Sequence, residues 1–100
     1  MLEYHAAYYR DAADDTWISV EVLDFPGVVT QGRTLDKARR MLRDALGMMA
    51  DYFLETGKPL PRPDPRVSDP EAFLIEPVYL GVRVRTVTAP APQATAQAAS

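Results

Sequence analysis

The chain has no cysteine, and His5 is its single histidine. Without thiols there is no disulfide, no thiolate zinc site and no cysteine nucleophile. A lone imidazole also leaves no histidine-rich metal cage and no second ring to share proton transfer. Glycine is scarce and scattered: Gly27, Gly32, Gly47, Gly57 and Gly81 stand singly, so no glycine-rich phosphate loop is present. Long apolar runs are missing as well, which excludes a membrane-spanning helix. The opening Met1-Leu2-Glu3-Tyr4-His5 lacks the basic and apolar regions of a secretory signal. A cytoplasmic protein is expected.

What is there describes one folded domain. Of the 100 residues, 47% are hydrophobic and 25% charged, enough to build a core and far from a disordered composition. The net charge of −3 is unevenly spread. Residues 1–30 hold Glu3, Asp11, Asp14, Asp15, Glu21 and Asp24 against Arg10 alone, whereas the bases concentrate between Arg33 and Arg66. An acidic start argues against capture of nucleic acid, which needs a clustered positive surface, and suits a basic protein partner.

The hydropathy pattern then gives the elements. Leu2 to Arg10 alternates Tyr4, Ala6 and Tyr8 with His5, Ala7 and Tyr9, which predicts a strand. Turn formers fill Asp11 to Thr16, and Trp17 to Leu23 resumes alternation with Ile18, Val20 and Val22 on one side, closing a hairpin. Asp24-Phe25-Pro26-Gly27 breaks the pattern before a short strand over Val28 to Gln31. Thr34 is placed to cap a helix, and Leu35, Ala38, Leu42, Ala45, Met49 and Tyr52 or Phe53 recur at helical steps until Thr56, with Gly57 as the stop. Gly47 inside that helix costs on the order of 1 kcal/mol relative to alanine, so it marks either a close backbone contact or a local weakness. Met41, Met48 and Leu54 lie off the apolar stripe and call for burial against something other than the domain's own sheet.

Five prolines between Pro59 and Pro70 force an extended surface tether. Phe73 to Val87 reads as a last strand interrupted at Pro77, and 88–100 as a disordered tail rich in Ala, Pro and Gln. Residues 1–87 therefore form an α+β domain of order β-β-β-α-β: a three-stranded antiparallel meander plus a fourth strand, with one long helix packed on one face. One helix cannot cover such a sheet. Tyr9, Trp17 and Tyr79 are costly to leave in water, so a homo-oligomer, dimer or tetramer, is expected.

No catalytic residue, metal ligand or cofactor emerges from this inventory. His5 lies among tyrosines and alanines in a strand, and Asp14-Asp15 sits where a hairpin turn wants aspartates for backbone reasons. Ser19 and Ser68 have no histidine at a useful spacing. Arg39, Arg40 and Arg43 read as a solvated helix face with local pairing. The enzymatic rival is a degenerate nuclease holding Mg²⁺ on Asp14, Asp15 and Asp24. A third reading is an oligomeric binding or scaffold protein.

From Tyr4 to Pro63 the chain resembles the HicB-like antitoxin family. The features run in order: the aromatic first strand, the acidic turn Asp14-Asp15, the second strand opening at Trp17, the signature Asp24-Phe25-Pro26-Gly27, Thr30-Gln31-Gly32, Thr34-Leu35, Ala38, Ala45-Leu46 and the exit Gly57 to Pro63. Val28 stands where the family commonly has cysteine, and Thr16 where it commonly has glycine. The resemblance implies a partial ribonuclease H-like fold without catalytic acids, whose partner is a small basic HicA-type toxin that cleaves mRNA. It implies neutralisation by covering the toxin's RNA surface. With the acidic first hairpin supplying steering and its aromatic rings supplying contact area, Tyr9, Asp14, Asp15, Trp17, Glu21, Asp24 and Phe25 are the expected partner-binding residues. No direct DNA binding is expected from this chain.

Overall fold

The computed structural model describes residues 1–10, 13 and 16–81. The Asp14-Asp15 turn, the expected continuation of the last strand to Val87 and the 88–100 tail lie outside them. Five elements follow in order: β1 (Leu2–Arg10), β2 (Ile18–Val22), β3 (Val29–Gly32), α1 (Leu35–Glu55) and β4 (Leu74–Leu80). They make one antiparallel sheet of order β3-β2-β1-β4 with α1 on one face, the α+β arrangement expected.

Register decides which side chains meet the helix. Ala6 pairs with Val22, Tyr8 with Val20 and Tyr4 with Val78. Since alternate residues share a face, Tyr4, Ala6, Tyr8, Ile18, Val20, Val22 and Val78 stack beneath α1, against Ala38, Leu42 and Leu46. Phe25 closes one end of this core. Its ring lies 5.2 Å from Tyr4 and 5.2 Å from Phe53, so the turn after β2 is built into the interior.

α1 is held at both ends. The Thr34 hydroxyl accepts from the Lys37 N–H at 3.1 Å. At the other end Lys58 N–H reaches the Phe53 carbonyl at 2.8 Å and Gly57 N–H that of Leu54 at 3.3 Å. Gly57 has φ +74°, the left-handed turn that this pair of bonds needs. Gly32 is required for another reason: a Cβ there would stand 2.6 Å from the Ala38 backbone nitrogen, so the first turn of α1 rests directly on the end of β3.

Three details differ from the sequence reading. β3 begins one residue late, because Val28 still closes the turn by donating to the Phe25 carbonyl. β4 is not interrupted at Pro77, which pairs with His5; β4 is an edge strand, where a missing N–H facing outward removes no ladder bond. Gly47 makes no close contact, since nothing lies within 4 Å of the position a Cβ would take.

The proline-rich segment is a strap tied to the sheet. Tyr4 Oη donates to the Pro61 carbonyl at 2.7 Å, Asp64 N–H to Asp24 Oδ2 at 3.0 Å and Tyr9 Oη to Asp69 Oδ2 at 2.8 Å. Met48 and Leu54 remain 73% and 55% exposed, uncovered by the sheet as expected. Among the described residues no helix is long and apolar enough to cross a membrane.

Candidate protein-binding face

Alternation that buries Tyr4, Ala6 and Tyr8 under α1 sends His5, Ala7 and Tyr9 to the opposite face. Ser19 and Glu21 of β2 share it, and Trp17, just ahead of β2, continues the pattern. Tyr9, Trp17 and Glu21, three of the expected partner-binding residues, therefore lie on one surface.

Its electrostatics are acidic. Tyr9 Oη sits 2.9 Å from Glu21 Oε2 and 2.8 Å from Asp69 Oδ2. A hydroxyl has one proton and serves one carboxylate at a time, so the pair keeps surplus negative charge at the surface. Burial and the two carboxylates push the Tyr9 phenol up. The Glu71 N–H and the Tyr9 hydroxyl hold the Asp69 carboxyl below its usual range. At the rim the Arg33 guanidinium lies 4.4 Å over the Trp17 ring, a cation–π contact that leaves Trp17 only half-buried.

Asp24 and Phe25 are placed differently. Both are buried, Asp24 7% exposed and Phe25 fully enclosed. Asp24 accepts from the His5 N–H and pairs with His5 Nδ1, each at 2.8 Å, besides holding the strap at Asp64. Burial opposes its ionisation, but the His5 ring and the backbone N–H groups of Asp64, His5 and Asp24 itself outweigh that and keep the carboxyl below its usual range. These two residues build the surface from beneath, where their own atoms offer no area. Asp24, one of the three acids of the nuclease reading, is thus committed to structural bonds, while Asp14 and Asp15 lie outside the described residues.

One cluster escaped the sequence reading. Glu76 of β4 points to the helix side, where Arg39 grips it with two bonds of 2.8 and 2.9 Å and Tyr8 Oη donates to it at 2.9 Å. Arg39 holds the Glu76 carboxyl down, while burial and Glu76 push the Tyr8 phenol up to about 12. Arg39 is therefore a clamp between α1 and β4, unlike the solvated residue its spacing suggested. The available signal was Glu76 itself, an acid on the apolar parity of the last strand.

No protein-family model matches the sequence, and no curated protein does. Solved structures do match. The N-terminal domain of the Burkholderia pseudomallei antitoxin HicB is similar with TM-score 0.64 and 23% identity, covering 81% of this chain and 100% of that one. The HicB antitoxin of the same organism gives TM-score 0.69 and 26% identity over 81% of this chain, which spans only 63% of that antitoxin's chain. A toxin–antitoxin complex from Streptococcus pneumoniae matches with TM-score 0.63 and 27% identity, covering 89% of this chain and 81% of that one. The fold is that of a HicB-like antitoxin domain, in agreement with the resemblance carried by the sequence.

Proposed function

We propose that this chain is a non-enzymatic cytoplasmic antitoxin domain that binds a small basic ribonuclease of HicA type and covers its RNA-binding surface. The observation that carries the proposal is the acidic sheet face, where Tyr9, Trp17 and Glu21 stand together beside Asp69 on a HicB-like fold. Asp14 and Asp15, which precede Trp17 in the sequence, add negative charge to the same stretch of chain. Acidic residues would accelerate encounter with a basic partner, and the Trp17 and Tyr9 rings would supply the desolvated contact that sets the off-rate. Asp24 and Phe25 contribute by fixing the turn behind that surface. Self-association belongs to the same proposal, since Met41, Met48, Tyr52 and Leu54 stand exposed along α1.

Stopped-flow association with a purified HicA-type ribonuclease tests the mechanism. The double variant Asp14→Lys/Asp15→Lys is expected to associate more slowly and with a weaker salt dependence, while Trp17→Ala dissociates faster with its fold intact. An unchanged association rate for the double variant at low salt would remove the acidic face from the mechanism.

A further inference from the structure

The two outer strands of the sheet are built differently. β4 is blunted at its centre by Pro77, which has no N–H to offer an added strand. β3, at the other side, reads Val29-Thr30-Gln31-Gly32, with neither a proline nor a charge. The Val22 N–H donates to the Val28 carbonyl at 3.0 Å, in the same register that pairs Val20 with Thr30 and Ile18 with Gly32. Bonded pairs alternate along an antiparallel ladder, so Thr30 and Gly32 direct their main-chain groups to β2, while Val29 and Gln31 turn their N–H and C=O groups outward. Among the described residues no other segment bonds to those outward groups.

The helix overhangs this edge. Gly32 rests against Ala38, and Gly27, in the turn before β3, lies beside the Met49 methyl, so β3 underlies α1 from Ala38 to Met49. Arg39 reaches Glu76 of β4 from one flank of that stretch. Met41 and Met48 occupy the opposite flank, on the β3 side, and stay exposed, whereas Tyr52 and Leu54 lie past the end of the stretch. On the other face of the sheet Val29 is 62% exposed beside Glu21, its partner on β2. Lys37 and Asp44 balance each other above the edge. Arg33 sits at the Gly32 end, over the Trp17 ring, which leaves the charge at the Val29 end to Glu21.

We infer that β3 is a strand-addition site, at which an extended segment of a basic partner protein pairs its main chain with Val29 and Gln31. The partner residue opposite Thr30 is apolar and packs beneath Met41 and Met48. The one opposite Val29 is Lys or Arg, whose stem covers the Val29 side chain and whose head reaches toward Glu21. Outward ladder groups at a sheet edge are matched by another strand, and the alternation of that strand sends one of its faces to the methionines and the other to the acid. The basic character of the partner rests on the function proposed above; the inference adds the place and the main-chain mode of docking.

Amide hydrogen exchange, read residue by residue by NMR on the full chain free and with a purified HicA-type ribonuclease, tests this, while inhibition of RNA cleavage reports binding separately. In the free chain the Val29 and Gln31 amides should exchange roughly tenfold or more faster than that of Thr30, and in the complex they should slow to its level. Gln31→Pro removes only an outward N–H, so it should weaken the complex roughly tenfold or more with unchanged circular dichroism, whereas Gln31→Ala, which keeps the N–H, should bind as the wild type does. A bound ribonuclease that leaves both amides exchanging as before, or that binds Gln31→Pro as well as Gln31→Ala, would overturn the inference and leave the proposed function standing. A ribonuclease that does not bind at all counts against the proposed function, and a synthetic peptide of alternating valine and lysine then decides the inference. Slowing of both amides by the peptide, lost in Gln31→Pro, supports it, and no slowing overturns it. Protection in the free chain that grows with its own concentration would assign the edge to a second copy and overturn it as well.

Discussion

Asp24 ties three stretches of chain with one carboxylate: His5 in β1, its own turn and Asp64 in the strap. Removing it in Asp24→Ala leaves buried donors without a partner, so the variant should lose about 1–3 kcal/mol in urea titration at neutral pH. The pH dependence follows from the depressed carboxyl. A group whose folded value lies below its ordinary 3.8 contributes stability that is complete above that value and is lost as pH falls through the folded one. Acid unfolding of the wild type should therefore steepen below about pH 4, and Asp24→Asn should flatten that limb. Phe25→Ala, which empties the site between Tyr4 and Phe53, should cost about 3–5 kcal/mol. Both residues were expected at the partner surface, and a partner-binding loss in either variant should come with lost stability, unlike that of Trp17→Ala.

Two glycines give opposite expectations at the scale of the elements. Gly32→Ala pushes a methyl into the Ala38 backbone and should destabilise by about 1–3 kcal/mol. Gly47→Ala adds a methyl into open space in a helix interior and should stabilise the monomer by about 1 kcal/mol. Thermal unfolding at a concentration that keeps the chain monomeric separates them by sign. The helix and the first hairpin were legible in the sequence because their patterns are local: the 3.6-residue stripe from Leu35, the cap at Thr34, and the alternation of Tyr4, Ala6 and Tyr8. What was hidden depends on partners far apart in the chain. Arg39 finds Glu76 across 37 residues, Tyr9 finds Asp69 across 60, and neither pairing leaves a periodic trace. Pro77 misled because proline reads as a break until its strand is known to lie at a sheet edge. On the candidate face, strand parity alone put Tyr9 and Glu21 together, but it could not show that Asp24 and Phe25 turn inward.

At the scale of the whole molecule, α1 seals one face of the sheet, the strap ties across to the other, and an acidic aromatic surface remains where Tyr9, Trp17 and Glu21 meet. On the proposed function, stability belongs to the helix side and partner recognition to the other. The direct test is RNA cleavage by a purified HicA-type ribonuclease, titrated with the purified protein. The account predicts that cleavage falls to background near equal molar amounts, that the end point shifts to higher protein concentration for a folded Trp17→Ala variant, and that this chain alone cleaves no RNA. Full ribonuclease activity at several-fold excess of the folded wild-type protein would contradict it.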